Sequence, residues 1–485
     1  MTGISTALSN AVSGLSAASR RADIVAGNIA NALTPGYSRR DLSVSEQVRG
    51  GAGGGVQVDG VTRSNDPVLT GQRRRAEGVS VGDEIAARTY ADFNTALGEP
   101  DEPFSLFAQY ANFERGLRDL AETPESAPLQ NAAVDNANAL ITNLNDLSTR
   151  VREVREGADR AIARDITTVN NALKEIESLN LEIASASSSN ADVNGLIDQR
   201  TNLIDQVSQV IPVREIVREQ GRVDLITDQG VFLLNTFARE IEFTPTPTIT
   251  ADLTLAGGGL SGISVDGVDI TPGSGILGVA GGTLGGNLRV RDEIAPQFQG
   301  RIDGLARDLI ERFEGIDPTL APGAAGLFTD AGAPLDPANE SGLAGRIRLN
   351  AAVDPGQGGQ VFRIRDGLGA TAAGPSGNAT NIRTFLDALT TARATPASLG
   401  LGGAQSAANA VAAVTTEIGS ARIQAETSFA ATAARTTSLR DAELETTAVD
   451  TDAELQRLIE IEQAFAANAR VIQVVDELTE LLLSI

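Results

Sequence analysis

The sequence predicts an α+β fold, mainly α and elongated, with paired coiled-coil helices at the N- and C-termini, a long-helix body and β-rich insertions at mid-chain. Three observations lead there. Apolar residues recur at spacings of three and four at both ends of the chain. One central stretch, Leu129 to Ala184, keeps the same rhythm throughout. Segments rich in Val, Thr and Gly, with strand-like alternation, fall between the helices.

In chain order, the first helix carries Ile4, Leu8, Val12, Leu15, Ala18, Ala22, Val25 and Ile29 on one stripe. Pro35 and Gly36 end it, because proline cannot continue the hydrogen-bond ladder and glycine supplies turn geometry. Asp41 to Asn65 reads as short strands around the glycine-rich turn Gly50 to Gly55, a β-hairpin or an extended loop between helices. That run lacks the Gly-Lys-Ser/Thr of a phosphate loop. Arg73, Arg74 and Arg75, with Arg20, Arg21, Arg39 and Arg40, form the basic clusters, which would face either an acidic neighbouring subunit or solvent.

Phe104, Phe107, Tyr110, Phe113, Leu117 and Leu120 mark the next helix. The periodic stretch from Leu129 to Ala184 would make an unbroken rod of roughly 80 Å at the α-helical rise. Ser185 to Asn190 breaks it, and a short helix follows over Asn194 to Val210, with Asp198, Arg200 and Asp205 as packing contacts. Strands are expected at Val213–Ile216, Val223–Thr227, Val231–Leu234 and Glu240–Phe243. Asp266-Gly267-Val268-Asp269 lacks calcium-loop spacing and reads as a turn. A helix is expected over Arg291 to Phe313, entered through Gly281-Gly282-Thr283-Leu284-Gly285-Gly286. Pro318 to Asn378 reads as a small outer β domain with strand pieces at Arg346–Leu349 and Val361–Ile364. Helices Ile382–Leu389 and Ala404–Glu445 return the chain.

The terminal helix, Val449 to Ile485, opens on a Thr451/Glu454 capping box. Its stripe is Leu455, Leu458, Ile461, Phe465, Ala469, Ile472, Val475, Leu478 and Leu482, and Glu454, Arg457, Glu460, Asn468, Arg470, Glu477 and Glu480 fall on the other face. Such a stripe needs a partner, and the first helix offers one. The resulting units are 1–65, 66–194, 195–316, 317–380, 381–446 and 447–485: terminal helix and hairpin, helical body, mixed segment, outer insertion, returning helices and C-terminal helix. Asn28, Asn31, Gln463 and Asn468 lie in or beside the stripes, where they would set register or face solvent.

Composition narrows the function. The 485-residue chain has 39 Lys+Arg against 63 Asp+Glu, a net charge of -24 that disfavours nucleic acid and anionic membrane. With no His and no Cys, Ser-His-Asp and Cys-His catalysis, HExxH zinc sites and disulfides are all excluded. No cofactor is implied. A run of about 20 apolar residues that could span a membrane is lacking, and so is a secretory signal peptide at the start.

Ala26-Gly27-Asn28-Ile29-Ala30-Asn31 with Thr34-Pro35-Gly36-Tyr37-Ser38-Arg39, and Gln463-Ala464-Phe465-Ala466-Ala467-Asn468-Ala469-Arg470-Val471-Ile472, resemble the N- and C-terminal motifs of the bacterial flagellar axial family of rod, hook and hook-associated proteins. The Gly-Tyr version is similar to the hook-associated members, whereas hook and distal-rod proteins usually carry Gly-Phe there. Leu196-Ile197-Asp198-Gln199-Arg200 and Gly281 to Leu288 resemble the same members. Leu33 and Phe465 depart from the common Asn and Tyr.

The resemblance implies a structural, non-enzymatic junction subunit between hook and filament, on the extracellular flagellum and exported unfolded without a cleaved signal. Implied partners are copies of itself in a ring, the hook protein, a second junction protein and a cytoplasmic export chaperone on the C-terminal helix. The expected assembly interface is Ile4, Leu8, Val12, Leu15, Val25, Asn28, Ile29, Asn31, Pro35, Gly36, Tyr37, Leu455, Leu458, Ile461, Phe465, Asn468, Ile472, Val475, Leu478 and Leu482. The termini, about Met1 to Asn65 and Asp450 to Ile485, are expected to order on assembly, since their stripes lack a complete partner. Alternatives are a hook or distal-rod protein and, in another class, a secreted carboxylate glycosidase, which would need two acids about 5–9.5 Å apart across a cleft.

Overall fold

The computed structural model describes residues 2–49, 52–189 and 191–483. Gly50 and Gly51 of the expected turn and Asn190 of the expected breaker lie outside the described residues. Helix α1 (Thr2–Asn31) leads into an antiparallel hairpin, β1 (Arg40–Arg49) and β2 (Ala52–Arg63). Then come α2 (Pro67–Leu97), α3 (Leu106–Glu122), α4 (Ala127–Ser188) and α5 (Asn194–Val210). Two antiparallel three-stranded sheets follow: β3 (Val213–Val217), β4 (Val223–Thr227) and β5 (Phe232–Leu234), then β6 (Ile241–Glu242), β7 (Ser264–Val265) and β8 (Val268–Asp269). Next are α6 (Gly282–Arg289), α7 (Ala295–Phe313), β9 (Phe328–Asp330), α8 (Leu343–Arg346), β10 (Ile347–Leu349), α9 (Arg363–Asp366) and α10 (Thr380–Thr390). The chain closes with β11 (Arg393–Ala394), β12 (Ala404–Gln405), α11 (Ala407–Thr447) and α12 (Thr451–Leu483). The fold is α+β and mainly α, with long helices at both termini and small sheets between.

Helix α4 runs unbroken for 62 residues. Leu140, Leu144, Leu147, Val151, Ile162, Val169, Leu173, Ile176 and Ile183 on its stripe are buried. The Asp266-Gly267 pair is the turn of the β7–β8 hairpin, both residues at positive φ (49° and 75°), as that tight connection requires.

The chain divides into two compact units: Met1–Glu77, Thr168–Glu240 and Ala433–Ile485, and then Gly78–Thr167 with Ile241–Thr432. The second unit is built on Phe113, Phe313, Phe328 and Phe385, contributed by α3, α7, β9 and α10, with ring centroids 5.0–6.1 Å apart. Edge-on and tilted ring contacts of this kind add to the gain from burial.

Three expectations for this unit are corrected. The segment from Pro318 to Asn378 has a single three-residue strand pair, and its Leu327, Phe328, Leu343, Ile347, Val353 and Ile364 join the helical core instead of a β domain of their own. Its length of loop is accommodated because these side chains reach a core already formed by helices. Of Val361–Ile364, expected as strand, Arg363 and Ile364 instead open helix α9.

The helix expected from Arg291 starts earlier, at Gly282, and passes through a π turn over Val290–Ile294 into α7. Gly281 and Gly282 at positive φ bend the chain into it. The widened turn, in which Ala295 N–H bonds Val290 O, directly precedes Pro296, whose missing N–H would otherwise break the ladder. On this turn Arg291 is fully buried, paired with Asp159 at 2.7 Å and with Asp292 at 2.9 Å.

Candidate assembly interface

In the first unit Ala18, Ala22, Val25 and Ile29 of α1 pack with Leu458 and Ile461 of α12. Small residues let the helices approach closely: a Cβ added to Gly14 would lie 2.8 Å from Asn468 Oδ1. The buried or half-buried positions described on α12 are Ala453, Glu454, Arg457, Leu458, Ile461, Asn468, Ala469, Ile472 and Val475; Glu454, Leu458, Ile461, Asn468, Ile472 and Val475 among them fall on one seam at spacings of three, four and seven, with polar residues at two of its places.

A polar cluster closes one end of this seam. Asn28 is fully buried and spends all four of its hydrogen-bonding positions. Its Nδ2 donates to Arg40 O (2.9 Å) and to Glu454 Oε2 (3.0 Å). Its Oδ1 accepts from Tyr37 Oη (2.8 Å) and Arg40 N (3.0 Å). Glu454, itself buried, also accepts from Arg457 Nη1 at 2.7 Å, so its charge is paired. Burial raises the Tyr37 hydroxyl above its ordinary pKa, with Arg40 opposing.

The loop between α1 and β1 is a turn of type II character, with Pro35 at its second place, Gly36 at φ +76° and Tyr37 N–H donating to Thr34 O at 3.1 Å. A Cβ on Gly36 would stand 1.8 Å from Asn202 Oδ1, and Asn202 Nδ2 donates to Pro35 O at 3.3 Å. Helix α5 thus holds the turn from outside. It also presents Asp198 to Arg40 (2.8 Å) and Arg63 (2.6 Å), while the Arg40 guanidinium lies over the Tyr37 ring. Arg39 N–H donates to Thr447 O (2.9 Å), tying the loop to the end of α11.

Arg73 and Arg74, expected against a neighbouring subunit or solvent, do neither. Both are buried: Arg73 pairs with Glu77, Asp205 and Glu443, and Arg74 with Asp205 and Glu215. Burial disfavours the Arg73 charge, yet its three carboxylates more than offset this and raise its pKa. Helices α2, α5 and α11 and strand β3 bring these groups together from distant parts of the sequence, which no local pattern signals. Arg75 is the exposed one, at 3.2 Å from Asp228.

The expected Thr451/Glu454 capping box does not form. Asp450 caps α12, its Oδ1 accepting from Asp452 N (2.9 Å) and Ala453 N (3.1 Å), which frees Glu454 for Asn28. Glu454 and Asn468, expected on the outer face, belong to the seam. The structure brings Val25, Asn28, Ile29, Tyr37, Leu458, Ile461, Asn468, Ile472 and Val475 of the expected interface into the α1–α12 pair, its seam and its closing cluster. Leu8, Val12, Leu455, Phe465, Leu478 and Leu482 are exposed, as are Pro35 and Gly36, while Ile4, Leu15 and Asn31 are half-buried. The sequence reading missed Glu454, Arg63 and Asn202 as members of the cluster. Glu454 had a usable signal, since it stands four and seven residues before Leu458 and Ile461.

No described helix is long and apolar enough to cross a membrane. Among the described residues, no group of three or more carboxylates could hold a metal ion.

Comparison with known proteins finds similarity to flagellar chains. Residues 91–318 match the family model of the flagellar hook-associated protein FlgK helical domain. Residues 8–37 match that of the flagella basal body rod protein, and residues 441–485 that of the flagellar basal body rod FlgEFG protein C-terminal region. Flagellar hook-associated protein 1 of Escherichia coli K12 is 26% identical over 320 residues, 64% of this chain and 56% of that one. Its Salmonella typhimurium counterpart is 26% identical over 261 residues, 52% and 47% of the two chains. The chain thus spans about half the length of these relatives. The Bacillus subtilis 168 protein of the same name is 23% identical over 516 aligned positions, 99% of this chain and 98% of that one. A solved structure of the flagellar hook junction protein FlgK from Burkholderia pseudomallei covers 53% of this chain and 46% of its own, at 21% identity and a TM-score of 0.44. With the three family-model matches and the sequence relatives in agreement, the chain is similar to flagellar hook-associated protein 1, of the flagellar axial family.

Proposed function

We propose that this chain is a structural, non-enzymatic subunit of the bacterial flagellum that joins hook to filament, forming a ring with copies of itself through its terminal helices. One observation carries the reading. The α1–α12 pair packs Ala18, Ala22, Val25, Ile29, Leu458 and Ile461 between its helices and leaves other large apolar side chains in solvent, among them Val12, Phe465, Val474, Leu478 and Leu482. Large apolar side chains left in solvent on both helices support an interface with other chains. The expected interface residues on α1 and α12 then serve in two ways, the seam residues by fixing the pair and the exposed ones by meeting neighbours.

The similarity to flagellar hook-associated protein 1 supports hook protein and a second junction protein as the axial neighbours. It also supports export through the flagellar channel and an export chaperone that covers α12 beforehand. A hook or distal-rod role is the second reading, disfavoured by the Gly36-Tyr37 pair and by the match of residues 91–318 to the hook-associated helical domain.

The test is a strain whose only copy ends before Val449, scored for motility and filament attachment. Hooks that form but shed their filaments, with the truncated protein still made, are the expected result. Failure of the hooks would assign the chain to hook or rod, and normal filaments would overturn the flagellar reading.

A further inference from the structure

In the second unit, α3, α4, α7 and α11 line a cavity of about 20 Å³. Its walls are mostly apolar, including Leu106, Leu140, Leu305 and Val411, but Tyr110 and Asp308 also line it. These two residues are 3% and 2% exposed, and neither the Tyr110 hydroxyl nor Asp308 Oδ1 has a hydrogen-bond partner within the protein. The other carboxylate oxygen is engaged: Arg312 Nε donates to Asp308 Oδ2 at 2.6 Å. Arg393 Nε stands 3.8 Å from Oδ1, too far for a hydrogen bond.

We propose that this cavity is a binding site for one structural water molecule, which bridges the Tyr110 hydroxyl and Asp308 Oδ1. Three physical arguments lead to it. A buried hydroxyl or carboxylate oxygen without a partner costs about 1–3 kcal/mol or more, so two of them on residues that line one cavity call for a shared partner. A site for one water needs roughly 10–15 Å³ of this measure and two to four polar partners, and the cavity provides both. Water also fits the charges: it donates to the carboxylate and accepts from the phenol. A bound cation would compete with Arg312 and Arg393 for the same carboxylate.

The water has a structural consequence. Arg312 donates to Ala388 O (2.8 Å), Thr391 O (2.9 Å) and Gln405 O (2.8 Å), clasping the end of α10 and strand β12 against α7. Asp308 steadies that clasp from one side, and the water extends it to α3 through Tyr110. Helix α3 and the returning segment before α11 are thereby joined through one polar chain inside an apolar core.

The test uses the full chain. A crystal structure at about 1.8 Å or better is expected to show one isolated peak within about 2.5–3.2 Å of both Tyr110 Oη and Asp308 Oδ1. In Tyr110→Phe the peak is expected to lose a partner or vanish. In urea unfolding, Tyr110→Phe and Asp308→Asn are expected to be coupled, the double variant losing less stability than the sum of the two single losses. A direct Tyr110–Asp308 hydrogen bond with no peak between them overturns the proposal. So does a cavity without density, and so does strict additivity of the two substitutions.

Discussion

Helices α7 and α12 are both amphipathic, yet they are held in different ways. Over its 19 residues α7 buries Phe298, Ile302, Leu305, Leu309, Ile310 and Phe313, and it anchors the phenylalanine cluster of the second unit. Among the described residues of α12, 33 residues long, Glu454, Ile461 and Val475 are the buried ones, and Leu455, Ile459, Phe465, Val471, Val474, Leu478, Leu481 and Leu482 are exposed. Burial stabilises at about 25 cal/mol per Å² of apolar surface, so the second unit holds its stability within the chain. The first unit keeps much of its apolar surface for something else. A helix seated on a thin seam with a polar end is specified in register more than it is stabilised.

The largest expected effect lies in the second unit. Phe313→Ala should cost about 3–5 kcal/mol, because it opens a cavity among three other rings that cannot collapse. Urea unfolding of the full chain measures it, and a loss below that of Ile461→Ala would break the comparison.

Next is Asp303, 2% exposed on α7, whose carboxyl burial pushes up to about 6 although Gly342 N, Ala344 N and Gln299 donate to it. A carboxyl raised from 3.8 in the unfolded chain stabilises fully below 3.8, and that contribution is lost as pH rises through 6, about 3 kcal/mol in all. Wild type should therefore lose stability relative to Asp303→Asn between pH about 4 and pH about 7. An unchanged difference across that range would show that the buried carboxyl does not titrate with folding.

In the first unit, Asn28→Asp removes both amide donors and sets a second carboxylate beside Glu454. It should loosen α12 by roughly 2–3 kcal/mol, seen as faster hydrogen exchange along α12 and not along α7. Glu454→Gln in the same chain should restore part of the loss; no restoration would mean that the Asn28–Glu454 contact does not hold the seam. The smallest effect is at the turn: Gly36→Ala, at φ +76° and against Asn202, should cost about 1–2 kcal/mol, measurable as a shift in urea midpoint that Asn202→Ala partly relieves.

Much of the fold was legible in the sequence. The rhythm through α4, the hairpin after Pro35-Gly36, the Asp266-Gly267 turn and the strands β3 to β5 were all readable because each is dictated by neighbours a few residues away. The terminal motifs were legible as well, and with them the family resemblance. The site was legible as a pair of helices, but the phase of its seam was not. Leu8, Val12, Leu455 and Phe465 stand on the strongest apolar stripe and are exposed, while Glu454, Asn468 and Gly14 take seam places because small and polar residues allow the closest approach and the most specific contact.

By itself, then, the sequence determined the long helices, the first hairpin and strands β3 to β5, the absence of His and Cys chemistry, and the type of chain to which it is similar, since period, composition and motif are local. Only the tertiary structure decided what surrounds each side chain. Arg73 and Arg74 are buried because Asp205, Glu215 and Glu443 come to them from three other elements. The segment from Pro318 to Asn378 is core because Phe328 finds Phe113 and Phe313. Burial and charge pairing depend on residues far apart in the chain, and no periodicity encodes where those meet.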